Sequence, residues 1–437
     1  MSALYDTVRS IVCNPRAAAL VSESTYTPAG GRAKPIAPPT YAGDVSAEFA
    51  YTPDAYIPEI DAHGWHTEIK RDDAGRPMTA TQVVVNSTPA ETGRAEESLW
   101  LSQRRICADL TLPGIVVGGP DTETIDQVVA AAIKKVGAGP GTAEKIRAEA
   151  GAILGDFEVS TWTAAHRQAD AWIKYAATPD GKQIWQGGSI RDLITTASSQ
   201  HADELYSHFV NAGVYGMWLS SGVSRRHRIP RAYSSEIVGF EAMPVRRAAT
   251  KLDVGGGAAK ETTLNVADGE LVEAKGHKPS DLGFGQIPTS PHEAAFVCGS
   301  ILQQSSISLP VFRTFRFAAD DDHRKRDAAA TVFTLLAITG HELAAEDGFL
   351  RSECSLIREE VRWGWRQTSA RGGAGVEEFD VPDADTAAAA LVSAVAAAED
   401  VGLRFAAPVT VQLSRAQAAV VAERVAREVT KSTGSSE

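Results

Sequence analysis

The chain has 437 residues, 43% hydrophobic and 22% charged, enough for a sizeable core in one large elaborated domain. No apolar run approaches the ~18 residues of a membrane span, and the N-terminus lacks a basic-then-apolar signal, so no membrane is expected as a partner. The four cysteines (Cys13, Cys107, Cys298, Cys354) form no CxxC pair, which argues against a zinc ribbon and predicts a soluble, cytoplasmic protein with reduced thiols. The formal net charge of −12 restricts nucleic-acid binding to places where cations cluster.

In chain order, residues 1–60 are rich in Pro, Gly and Tyr, and Pro35, Pro38, Pro39, Pro53 and Pro58 exclude long helices there. A β segment is predicted at 18–24 before the Ala29-Gly30-Gly31-Arg32 turn, and a second at 81–85. The next predicted helix, 94–106, aligns Ala95, Leu99, Ser102 and Ile106. A longer one at 161–176 puts Trp162, Ala165, Ala169, Trp172, Ile173 and Ala176 on one stripe. Residues 190–197 read as a helix, 214–220 as a buried strand, 222–230 as an exposed excursion and 236–242 as a strand. Residues 249–294 read as a long loop-like insertion. Residues 311–317 are expected to be a strand, and 327–346 a helix apolar almost all round and therefore buried. A hinge at 371–375 precedes a helix–strand–helix tail over about 384–430. The mixture predicts an α+β fold with an antiparallel sheet.

The strongest basic cluster is Arg225-Arg226-His227-Arg228 with Arg231. It sits among Gly222, Ser224 and Pro230 and is expected to project from the body. Guanidinium groups grip phosphate oxygens without reading sequence; the plainer alternative is a solvated loop. Gly187-Gly188-Ser189-Ile190-Arg191-Asp192 offers free N–H groups at a helix start plus one cation, an anion site by chemistry, while Ser189 and Asp192 equally make a capping box. Phe312-Arg313-Thr314-Phe315-Arg316-Phe317 interleaves rings and cations as single-strand binders do, although such a stripe is more often a core face.

Enzymatic signatures are weaker. His166 and Asp170 stand at helical i,i+4 spacing without HExxH. Asp320-Asp321-Asp322-His323 reads as a solvated acidic turn, and Gly255-Gly256-Gly257 with Lys260 lacks phosphate-loop spacing. There is no GxSxG elbow. No catalytic residue, cofactor or metal is assigned.

Several segments, in order, resemble one family: the CRISPR-associated backbone subunit of subtype I-U (I-G) Cascade, in the RAMP superfamily. They are Pro38-Pro39-Thr40-Tyr41-Ala42-Gly43; Asn86-Ser87 with Arg94-Ala95-Glu96-Glu97; His166-Arg167 with Asp170-Ala171; Gly216-Met217-Trp218-Leu219-Ser220-Ser221-Gly222; Arg231-Ala232-Tyr233-Ser234-Ser235-Glu236-Ile237-Val238-Gly239; Lys278-Pro279-Ser280-Asp281 to Pro288; and Leu350-Arg351-Ser352-Glu353-Cys354. The chain departs from the pattern at 88–93 and carries Leu219 where an aspartate usually follows the tryptophan.

The resemblance implies an RRM-like (ferredoxin-like) palm with inserted fingers and a projecting thumb over 1–370. The thumb or finger candidate is 219–235, 249–294 is a flexible insertion, and 371–437 forms an α/β tail. It implies a non-catalytic, guide-RNA-binding subunit that polymerises on crRNA beside other Cascade subunits and presents the guide to target DNA. The expected RNA contacts are Lys34, Arg94, His166, Arg167, Ser189, Arg191, Arg225, Arg226, Arg228 and Arg231. Two alternatives stay open: an RNA-cleaving RAMP subunit using a loop acid such as Asp253 or Asp320, and a protein-only scaffold with Ala-rich tail helices as contacts.

Overall fold

The computed structural model describes residues 2–42, 47–106, 110–220, 227–247, 264–267, 270–273, 292–319, 323–368 and 375–433. Of the expectations above, Arg225, Arg226, Asp253, Asp320, the triple glycine, the 278–288 motif, most of the 249–294 insertion and the hinge residues 371–374 lie outside the described residues.

The fold is α+β, built on an antiparallel sheet whose central path reads Phe349–Arg351, Cys354–Gln367, Ala17–Pro28, Ser300–Ser308, Tyr233–Phe240, Thr79–Asn86, Tyr51–Tyr56. Within it lies an RRM-like palm. Strand Ala17–Pro28, helix Thr88–Ile106, strands Tyr233–Phe240 and Ser300–Ser308, helix Arg324–Glu346 and strand Cys354–Gln367 follow in chain order, and the four strands sit in the spatial order 4-1-3-2. The intervening residues 29–87, 107–232 and 241–299 are insertions into that frame. Their length hides the palm from any local reading of the sequence.

Helix Arg324–Glu346 is buried continuously from Ala329 to Ala344, as its all-round apolarity predicts. It is long and apolar enough to cross a membrane by composition, but 89% of its apolar window is buried inside the protein. It packs against Thr88–Ile106, Ala384–Glu399 and the N-terminal helix Ala3–Cys13. Beneath it the sheet is polar. Tyr233 Oη lies 3.0 Å from His341 Nδ1, Tyr26 Oη donates to Gln303 Oε1 at 2.8 Å, and Gln303 Nε2 donates to Glu91 Oε2 at 2.6 Å. Burial lowers the His341 pKa, so the imidazole stays neutral and serves as a hydrogen-bonding core residue.

The tail elements form as expected: Ala384–Glu399, Val409–Gln412 and Arg415–Thr433. The strand pairs in parallel with Ile115–Gly118, and the last helix packs on Thr122–Val136 and Pro140–Gly155.

Three expectations are corrected. Residues 161–176 are not one helix: a 3-10 turn, Arg167–Ala169, and a short helix, Ala171–Lys174, are separated by extended Asp170. Residues 214–220 are not one strand. Helix Val210–Tyr215 ends at Gly216 and strand Met217–Leu219 follows. Residues 311–317 are not a strand, because Pro310 starts a helical turn, Leu309–Arg313. Its aromatics are core: the Phe312 and Phe315 rings lie 5.3 and 5.5 Å from the Phe333 ring, and Arg313 donates to the Asn14 and Ala17 carbonyls.

Candidate nucleic-acid interface

The described end of the basic cluster, His227–Ile229, pairs with Met217–Leu219 in a short hairpin, and the hairpin stands on a buried ion pair. Arg167 has φ 53°, a left-handed conformation that breaks the helix the apolar stripe had promised. In exchange its guanidinium reaches Glu96, 71 residues earlier: Nε donates to Oε1 at 2.8 Å and Nη2 to Oε2 at 2.5 Å. Nη1 donates to the Gly216 carbonyl at 2.8 Å, and the guanidinium lies 6.0 Å from the Tyr215 ring centroid. Asn211 Nδ2 adds a bond to Glu96 Oε1 at 3.0 Å. Burial raises the Glu96 pKa and the Arg167 charge opposes it, as for any carboxylate taken from water with its partner. Asp170 completes the turn by accepting from the His166 and Trp172 amides at 3.2 and 2.9 Å.

Gly216 is where chain geometry demands glycine. Its φ of 81° and ψ of 164° belong to a region essentially closed to other residues, and a Cβ there would lie 3.0 Å from both Ile229 O and Arg231 N. Both hairpin strands therefore leave one crowded junction, clamped by Arg167. From it run Met217–Leu219 and His227–Ile229, paired Met217 to Ile229, Trp218 to Arg228 and Leu219 to His227. Strand alternation turns Met217, Leu219 and Ile229 into the core. It leaves Trp218, 66% exposed, and Arg228, exposed, side by side on the outer face. Among the described residues Arg228 has no ion-pair or hydrogen-bond partner. Arg231, also exposed, follows; burial and the Arg167 charge lower its pKa while Glu96 opposes them. His166 is exposed one residue before the clamp.

The other expected contacts divide. Lys34 is exposed in the 30–35 turn. Arg94 is committed internally: Nη1 pairs with buried Glu91 at 2.9 Å and Nη2 donates to the Ala344 and Asp347 carbonyls at 2.6 and 2.5 Å, at the end of the core helix. The N-cap is Gly188, which has no side chain to cap with, and Ser189 is already the first helical residue, so the capping-box arrangement is absent. Gly187 and Gly188 have φ of 131° and 108°, and the Arg191 guanidinium lies 5.6 Å from the Trp185 ring. The structure thus gathers His166, Arg228 and Arg231 around one hairpin and leaves Lys34, Ser189 and Arg191 elsewhere in the fold. The sequence reading missed Trp218 as a functional candidate, although a ring between Met217 and Leu219 in a strand must face away from them.

The palm's open sheet face offers nucleic acid less. Its central row, Glu236, Gln304 and Glu23, is carried by paired strands. The Glu23 carboxylate accepts from the His66 amide and ring at 2.9 and 3.0 Å. Two carboxylates, one of them bonded to His66, stand where RRM sheets usually present stacking aromatics.

With this geometry in place, comparison with known proteins decides the family. The sequence profile of a family described as CRISPR-associated protein GSU0053 matches residues 20–244, just over half of the chain. The chain belongs to that CRISPR-associated family. Its matched segment begins in the first palm strand, spans Glu96, Arg167 and the hairpin strands, and ends four residues past the second palm strand. No curated protein matches the chain. A chain of a solved structure described as "CRISPR RNA-guided surveillance complex, pre-nicking" is similar over 94% of this chain and 99% of that one, at 13% identity and a TM-score of 0.26.

Proposed function

We propose that this CRISPR-associated protein is the non-catalytic, guide-RNA-binding backbone subunit of a type I-U/I-G Cascade complex. Copies assemble along crRNA with the other Cascade subunits and present the guide for pairing with target DNA. The observation that supports the reading is the strand pair Met217–Leu219 and His227–Ile229, which carries an exposed ring and a guanidinium unpartnered among the described residues, while the motif arginines Arg94 and Arg167 are internally bonded. Such contacts hold a strand by its phosphates and shape, while base pairing by the guide supplies sequence specificity. The net charge of −12 is no obstacle, because counterion release depends on the local cations that face the phosphates.

The test is RNA loading during co-expression with a guide. The wild-type chain is expected to purify with short repeat-flanked RNA. Arg225→Glu, Arg226→Glu and Arg228→Glu combined are expected to abolish loading while thermal stability is kept. Equal loading by the triple variant would remove the hairpin from the interface.

A further inference from the structure

We infer that Trp218 is a stacking platform for one unpaired nucleobase of single-stranded RNA. The inference rests on the RNA-binding reading above and adds the ligand group that the hairpin takes. All eight tryptophans of the chain are among the described residues. Seven are buried or half-buried; Trp218 alone is exposed, at 66%. Three of the buried or half-buried ones spend their indole N–H on protein acceptors: Trp65 on Glu378, Trp162 on the Pro113 carbonyl and Trp363 on Glu342. No such bond is made by Trp218 within the described residues.

Its presentation is fixed by the fold. Met217, Leu219 and Ile229 anchor both strands in the core, Gly216 permits the strands to meet, and Arg167 bonds to the Gly216 carbonyl at their root. A ring held out in this way loses little freedom on binding, which is what pre-organisation requires. The chemistry of the surroundings names the ligand. Arg228 is the in-register neighbour of the ring on the same face, so a planar group on the indole places its attached negative charge within reach of a guanidinium. An unpaired nucleotide has that form: an aromatic face for the ring and a phosphate for the arginine. The carboxylates of Glu236 and Glu23, on either side of Gln304 on the sheet, disfavour the alternative course of a strand across the palm.

The experiment is a titration of the full-length protein with two oligomers of equal charge: oligoadenylate and an abasic ribose-phosphate chain of the same length. Tryptophan emission and labelled-oligomer anisotropy are read together. Oligoadenylate is expected to quench the exposed indole and the abasic chain to leave it unchanged. Trp218→Ala is expected to weaken oligoadenylate roughly 5- to 100-fold, the usual loss for removing one stacking ring, without altering the abasic affinity; Trp218→Phe is expected to restore most of the loss. Should Trp218→Ala bind both oligomers as the wild type does, with the ordinary salt dependence, stacking is overturned and the RNA-binding reading survives. If the wild type binds neither oligomer at any salt concentration, both fall.

Discussion

Two arginines, 61 residues apart in the chain and brought to one hairpin, have opposite fates, and the contrast explains the site. Arg167 makes three hydrogen bonds to Glu96 and Gly216 and is nearly withdrawn from solvent. Arg228, on the hairpin that Arg167 supports, is exposed and unpartnered among the described residues. The first sets the direction of a projection; the second is what the projection carries. A motif arginine is therefore not by that fact a phosphate contact. Arg94, tied to Glu91 and to two carbonyls at the end of the core helix, repeats the point.

The contrast breaks most visibly at the buried pair. Arg167→Ala leaves Glu96 buried without its cation, and is expected to cost about 3–5 kcal/mol of stability, read as a lower urea midpoint at unchanged m. Gly216→Ala comes next. It forces a side chain into a glycine-only conformation against the Ile229 carbonyl, with an expected loss of about 1–3 kcal/mol, and hydrogen exchange should show faster opening of the hairpin strands than of the palm. Arg228→Glu acts on the other side of the comparison. Stability is expected to stay within about 0.5 kcal/mol, while the log–log salt slope of single-stranded RNA binding falls by about 0.7. An Arg228→Glu variant that loses stability, or an Arg167→Ala variant that does not, would dissolve the distinction between support and contact.

The smallest effect belongs to the sheet face. Burial raises the Glu23 carboxyl, but hydrogen bonds from the His66 ring and amide and from Gln304 outweigh it and hold its pKa below the ordinary 4.5. A carboxyl whose folded value lies below its unfolded one contributes stability at pH above the unfolded value. That contribution is lost as pH falls through the folded value. Glu23→Gln is expected to flatten the acid limb of stability below about pH 4.5 and to leave neutral-pH RNA binding unchanged.

What the sequence revealed was local. The core helix 327–346 is apolar on every side, so its burial follows from composition, and strand 81–85 and the helix–strand–helix tail follow from periodicity. The projection of the basic cluster is partly legible as well, since residues 227–229 stand on the hairpin and Arg228 is exposed. What remained hidden depends on distant partners. The stripe Trp162 to Ala176 keeps helical spacing, yet Arg167 leaves helical geometry because Glu96 waits on another helix. The aromatics and cations of 312–317 interleave and read as a strand, but Phe312 and Phe315 are three apart, and Pro310 with Phe333 turns them into a helix end packed on the core. The palm order 4-1-3-2 emerges only once the long insertions are folded out of the way. Trp218 could have been found: the cue is an aromatic flanked by two apolar residues beside a basic cluster, where alternation sends the ring outward.

Native mass spectrometry of the chain co-expressed with a guide tests most directly the proposed role of the hairpin in holding guide RNA on a repeating subunit. The account predicts one RNA carrying several copies of the wild-type chain, and RNA-free protein when Arg225, Arg226 and Arg228 are changed to Glu. A wild-type chain that purifies as an RNA-free monomer beside an expressed guide would contradict it.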